Sequence, residues 1–217
     1  NYHRIGCGDT SLFDRALWSA TQHDFERQVE VLKRNGEVVD LDELPDVVHR
    51  LESGQTRDRF VMITFDDGYR DNYELAFSVL KSAGVPGVFF ITTGFLDDRR
   101  LGWWDEVSWM VRSSSCSGID GADWCGERVK IDRPDCDLAI QKLVRVIYGL
   151  DAQRTDEFLN FLAEETGSGR APKRLSHDLW MTWDNVREMR SGGMSIGAHT
   201  VTHPVLSLIH ISEPTRP

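Results

Sequence analysis

What this sequence lacks narrows its character first. Nowhere do about 18 apolar residues run together, the length a bilayer span requires, so no membrane-spanning helix is expected. Cysteine is scarce: Cys7, Cys116, Cys125 and Cys136 are too few and too irregularly spaced for a disulfide scaffold, and no spacing among them suggests a metal cluster. We read them as free thiols, the alternative being a Cys116–Cys125 bridge in an exported protein. Basic charge is also short, with 25 Lys and Arg against 35 Asp and Glu for a net charge of −10. With no basic run visible, phosphate repulsion excludes nucleic acid as the default partner. The amino end shows no basic-then-apolar leader pattern. It opens at Asn1 and runs at once into YHRIG, so we expect the natural start, with any signal or anchor, to lie upstream; the compartment stays open. What remains is an acidic globular chain, 40% hydrophobic and short enough for one domain.

The stretch that organises the chain is FVMITFDDGYRD, Phe60 to Asp71. Six mostly apolar, β-favouring residues, Phe60 to Phe65, read as a strand buried on both faces, and the run stops at two carboxylates and a glycine. A helix over Arg70 to Ala83 follows, with Tyr73, Ala76, Phe77 and Leu80 on one face, and then a second buried strand, Gly87 to Thr92. Strand, helix, strand is a βαβ unit and makes the sheet parallel. In such sheets ligands and catalysis collect at the carboxyl ends of strands, where Asp66 and Asp67 sit. The plainer alternative is an Asp-Asp-Gly turn that caps the helix.

A second run, SIGAHTVTHP from Ser195 to Pro204, also ends in polar residues. His199 and His203 are four apart with Pro204 behind them, so a single helical turn would aim both imidazoles one way. Two His and one carboxylate are three protein ligands with positions left for water, as expected of a catalytic zinc.

Thr64-Phe65-Asp66-Asp67-Gly68 and His199-Thr200-Val201-Thr202-His203-Pro204 together resemble the two leading motifs, TFDDG and H-[ST]-x-x-H-P, of the NodB-type polysaccharide deacetylases, carbohydrate esterase family 4. Tyr2-His3-Arg4-Ile5, Trp103-Trp104-Asp105-Glu106 and Met181-Thr182-Trp183-Asp184 look like the branch associated with bacterial exopolysaccharide clusters. The resemblance covers most of residues 1–205 and implies an α/β fold, a partial (β/α) barrel with a helical insertion at about 95–193. It implies a hydrolase of N-acetyl or O-acetyl groups on an acetylated polysaccharide or oligosaccharide. Asp67, His199 and His203 would hold a divalent metal, zinc first, with cobalt, manganese or iron also suited to these donors. Such a metal lowers the pKa of a bound water from about 15.7 toward about 7, and Asp66 would take that water's proton as general base. Tyr69, Trp103 and Trp104 are candidate substrate contacts; a core role for the tryptophans is the alternative. His3 lies near the active face or is merely structural.

The chain also departs from the family. The later motifs, with the Arg that tunes the base and the general-acid His, are absent, and the spacing of Leu206 and Leu208 to His210 does not supply the last of them. We expect 206–217 to be a non-native tail. With its closing strands missing, the sheet would be left open, the chain prone to aggregate and nearly inactive. Two other readings compete: a metal-dependent amidohydrolase acting on a small amide, and a non-catalytic sugar-binding relative, which four intact site residues disfavour.

Elsewhere, helices are expected near Phe25–Leu32, capped by Thr21 and stopped by Gly36, and over Leu44–Leu51, closed by Gly54. A short strand is expected at Val38–Leu41. Further helical patterns fall at Asp105–Val111, Leu138–Ile147, Asp156–Glu165 and Thr182–Met189, with Ser113–Asp137 as an irregular link.

Overall fold

The computed structural model describes residues 1–205, so the expectations for 206–217 lie outside the described residues. Its contacts divide the chain into two units. One comprises Asn1–Thr10, Ala16–Arg100 and Arg174–His203; the other includes Ser11–Arg15 and Leu101–Lys173.

The first unit is α/β, and its strands pair in parallel. Thr64–Phe65 lies beside Val88–Ile91 in the register Thr64↔Val88, Phe65↔Phe89. On the far side of Val88–Ile91 runs Ser195–Ala198, from Val88↔Ser195 to Ile91↔Ala198. Three neighbouring strands therefore deliver their carboxyl ends to one edge of the sheet, and the residues next in sequence are Asp66, Thr92 and His199. The helix between the first two strands covers Arg70–Ala83 as expected, but its stretch Asn72–Phe77 is wound as a π-helix. Ring stacking fills the core: Phe65 and Phe89 are 4.6 Å apart and 7° from parallel, with the Phe25 ring edge-on to Phe65 at 5.5 Å.

The run Phe60–Phe65 is not one strand buried on both faces. Phe60–Val61 pairs with Glu37–Val38 and only Thr64–Phe65 joins the three-stranded sheet. Ile63 and Phe65 are buried while Phe60, Val61, Met62 and Thr64 are partly exposed, so this segment packs one face more than the other. An apolar run alone carries no information on which neighbour each half will meet.

The cap and stop expected at Thr21 and Gly36 act where they stand in the sequence. Thr21 Oγ1 accepts a hydrogen bond from Asp24 N and opens the helix Gln22–Asn35, which Gly36 ends. Thr182 and Asn185 form a reciprocal capping box at the start of Trp183–Ser191. The strand Arg4–Ile5 pairs with Trp18–Ala20. It is fastened to the start of the Arg70–Ala83 helix by Arg4 Nε, which donates to Asp71 Oδ2 at 2.9 Å from between the Trp18 and Tyr69 rings. Burial pushes the Asp71 carboxyl up from its usual range, with the Arg4 charge acting in the opposite sense.

The second unit packs the helices Trp103–Ser113, Asp137–Tyr148 and Thr155–Thr166 through Val107, Met110, Leu143, Ile147, Phe158 and Leu162, all at most 1% exposed. Glu106, buried among them, accepts hydrogen bonds from Arg170 Nε (2.8 Å), Arg170 Nη2 (3.0 Å) and Ala171 N (2.9 Å), the pairing a buried carboxylate requires. The link Ser113–Asp137, expected to be irregular, contains an antiparallel hairpin of Gly118–Gly121 with Glu127–Lys130. Its strands are four residues each, the first bounded by Gly118 and Gly121, and hold too few apolar residues for Ile119 and Val129 to show an alternation. All four cysteines are free.

Candidate metal centre

Asp67 and His199 reach the same place because their strands flank Val88–Ile91 and end level with it. Asp67 is 1% exposed and has a left-handed backbone, φ 77°. Its carboxylate Oδ1 lies 3.7 Å from His199 Nε2 and 3.3 Å from His203 Nε2, and the two imidazole nitrogens are 3.1 Å apart. Donors placed tetrahedrally about 2.0–2.2 Å from one ion stand about 3.3–3.6 Å from each other, so these three atoms have the spacing of a shared cation. Among the described residues, Asp67, His199 and His203 form the one cluster of this kind. The donor set, two imidazoles and a carboxylate, suits zinc and leaves room for an exogenous ligand.

The electrostatics agree. Burial, reinforced by the neighbouring His199, lowers the His203 pKa to about 4. The ring is therefore neutral at physiological pH, the form in which an imidazole nitrogen offers its lone pair to a metal.

The two histidines do not converge through a helical turn. Thr200 and His203 both take left-handed φ, 63° and 52°, and the segment is an irregular loop closed by His203 N donating to Thr200 Oγ1 at 2.9 Å. Pro204 stops a helix from continuing but does not require one to begin.

Asp66 stands beside this cluster and outside it. Its side chain is 16% exposed, and Oδ2 accepts a hydrogen bond from Asn1 Nδ2 at 2.8 Å. His3 Nε2 is 3.9 Å from the same oxygen. Two backbone bonds and one side-chain bond fix this approach: Tyr2 N donates to Thr64 O at 2.8 Å, Asp66 N to Tyr2 O at 3.0 Å, and the side-chain Asn72 Nδ2 to His3 O at 2.8 Å. The sequence left His3 either near the active face or merely structural; its position beside Asp66 depends on a pairing between segments distant in sequence, Asn1 and Asp66 being 65 residues apart.

The aromatic residues named as substrate contacts are core residues. Tyr69 is 0% exposed, its ring stacked on Trp180 at 4.5 Å. Trp103 and Trp104, in the second unit, are 8% and 5% exposed and pack edge-on at 5.2 Å, with Trp103 also edge-on to Tyr148. Tyr69 has no ring face for a ligand, and the two tryptophans have little.

The family model for polysaccharide deacetylase matches residues 53–119, which include Asp66 and Asp67. No curated protein matches the chain. Among solved structures, the chain is similar to a Streptococcus pyogenes deacetylase, PplD, in complex with acetate: 16% identity over 94% of this chain and 55% of that one, TM-score 0.48. It is similar also to a de-N-acetylase from Aggregatibacter actinomycetemcomitans, at 18% identity over 92% of this chain and 53% of that one, TM-score 0.43. A third is IcaB from Ammonifex degensii, at 16% identity over 95% and 86%, TM-score 0.36. The chain thus spans about half the length of the first two.

Proposed function

We propose, from the premise that residues 53–119 are polysaccharide deacetylase sequence, that this chain carries the metal centre and general base of a metal-dependent deacetylase acting on an acetylated polysaccharide. The observation that carries the reading is the convergence of Asp67, His199 and His203 at the sheet edge with a second, non-ligating carboxylate, Asp66, beside them. A bound divalent ion would supply Lewis acidity there, polarising an acetyl carbonyl and acidifying water toward neutral pH.

The chain's own residues have separable roles. Asp67 and the two imidazoles would hold the ion, zinc being the best match to their donors. Asp66, with one oxygen engaged by Asn1 Nδ2 and its side chain partly open, is positioned to accept a proton as water attacks the acetyl carbon. His3, whose Nε2 is 3.9 Å from Asp66 Oδ2, would exchange that proton with the carboxylate. On this reading the YHRI segment would supply a second acid/base group. The substrate carries an acetamide or acetyl ester, and release of acetate is the net reaction.

The test is release of acetate from an acetylated glucosamine oligomer and from a chromogenic acetyl ester. Zinc-loaded or cobalt-loaded protein should release it, and chelator-treated protein should regain the activity on adding metal back. Turnover that is indifferent to a strong chelator, or a metal-loaded protein that binds the oligomer without releasing acetate, would overturn the proposal.

A further inference from the structure

Of the four described non-glycine residues with left-handed backbone, three lie in the two ligand loops: Asp67, Thr200 and His203. Such backbone is unfavourable for residues with a Cβ and persists where the surroundings hold it. Much of that hold comes from one tripeptide, Thr92-Thr93-Gly94, which follows the strand between the two loops. Thr92 N donates to Asp67 O at 3.2 Å, and Thr92 Oγ1 donates to His199 O at 3.1 Å. Thr93 N donates to Thr200 O at 3.3 Å and Gly94 N to Val201 O at 2.9 Å. The last two are first-turn amides of the short helix Thr93–Asp98, donors that no residue inside the helix can use.

The residue types match the task. Thr92 is 0% exposed, so its hydroxyl would be an unpaired buried group without the His199 carbonyl. At Gly94 an added Cβ would stand 2.3 Å from Val201 O and 3.2 Å from Val201 Cγ1. The first of these is backbone and cannot rotate away, so the histidine loop would have to move.

We propose that Thr92-Thr93-Gly94 is the positioning element of the metal centre. None of its atoms is a ligand; it ties the backbone of Asp67 to that of His199, Thr200 and Val201 and so sets the separation of the three donors. Gly94 is glycine because any side chain would displace Val201, two residues before His203. The inference rests on reading Asp67, His199 and His203 as metal ligands. Outer-shell groups that orient metal ligands tune affinity, and loss of a partner bonded to a ligand side chain typically costs about 10- to 100-fold, the scale taken here for a backbone tie.

The test compares the parent chain with Gly94→Ala, Thr92→Val and Thr92→Ser. Zinc affinity is measured by competition with a chromophoric chelator, the geometry of the site by the visible spectrum of the cobalt form, and the fold by thermal melting of the metal-free protein. Gly94→Ala and Thr92→Val should bind zinc at least about tenfold more weakly with an altered cobalt spectrum. Thr92→Ser, which restores the hydroxyl, should bind within about threefold of the parent, a margin well below the loss on removing an outer-shell partner. A purely structural tripeptide would lower the melting temperature while leaving affinity and spectrum as in the parent. Parental zinc affinity in folded Gly94→Ala and Thr92→Val overturns the proposal, as does an equal loss in Thr92→Ser and Thr92→Val. If Gly94→Ala fails to fold, the Val and Ser variants decide. A parent chain that binds no zinc refutes the metal reading itself, a different result from unchanged affinity in the variants.

Discussion

Asp67 Oδ1 and His203 Nε2 stand 3.3 Å apart, one from a loop after Thr64–Phe65 and the other from a loop after Ser195–Ala198, two strands away across the sheet. That separation is too close for a buried carboxylate and a ring nitrogen to be indifferent to each other, and a shared cation is the simplest way to satisfy both together with His199. Several measurable consequences depend on it.

Removing any one of these side chains should remove the ion. We expect Asp67→Ala, His199→Ala and His203→Ala each to purify without stoichiometric metal, because two remaining donors form too weak a site. Elemental analysis of the purified variants is the check, and zinc or cobalt at parental stoichiometry in all three would refute the assignment.

Asp66→Asn should separate chemistry from binding. The amide keeps the shape and loses the basic oxygen, so zinc content should be parental while acetate release falls by about 10²- to 10⁴-fold, the range for a positioned general base. A variant that turns over at the parental rate would reduce Asp66 to a turn residue.

His3→Ala is expected to retain zinc and to slow acetate release by about 10²-fold, the lower end of the range for proton transfer, since His3 faces the carboxylate rather than the cluster. Its effect should be much smaller once Asp66 is already Asn, because both changes act on one proton path. Fully additive losses in the double variant would show that His3 acts elsewhere.

Trp180→Ala tests the support beneath the first motif. Trp180 is fully buried between Tyr69 (4.5 Å) and Phe95 (4.6 Å), and its Nε1 donates to Arg100 O at 2.7 Å. Loss of the ring should destabilise the fold by about 3–5 kcal/mol. Urea unfolding should report this as a lower midpoint, and a change of less than about 1 kcal/mol, smaller than any large-to-small core deletion of this size, would mean the site collapses around the gap.

The sequence by itself singled out the residues of the proposed site, because metal and proton chemistry admit few side chains and these stand at strand ends in two short segments: Asp66 and Asp67 in one, His199 and His203 in the other. It also determined the parallel order of Thr64–Phe65 and Val88–Ile91 about the Arg70–Ala83 helix, and the cap at Thr21, since these depend on neighbours close in sequence. Tertiary structure alone decided how the histidines meet. The segment His199 to His203 is a loop with left-handed Thr200 and His203 rather than a helical turn, and the amides that bond its Thr200 and Val201 carbonyls, those of Thr93 and Gly94, lie about a hundred residues earlier. It decided too that Tyr69, Trp103 and Trp104 are core rings, because an aromatic residue is equally suited to a sugar and to an interior until its neighbours are known. And it placed His3 beside Asp66, through the backbone pairing of Tyr2 with Thr64 and Asp66, a proximity that nothing within YHRI dictates.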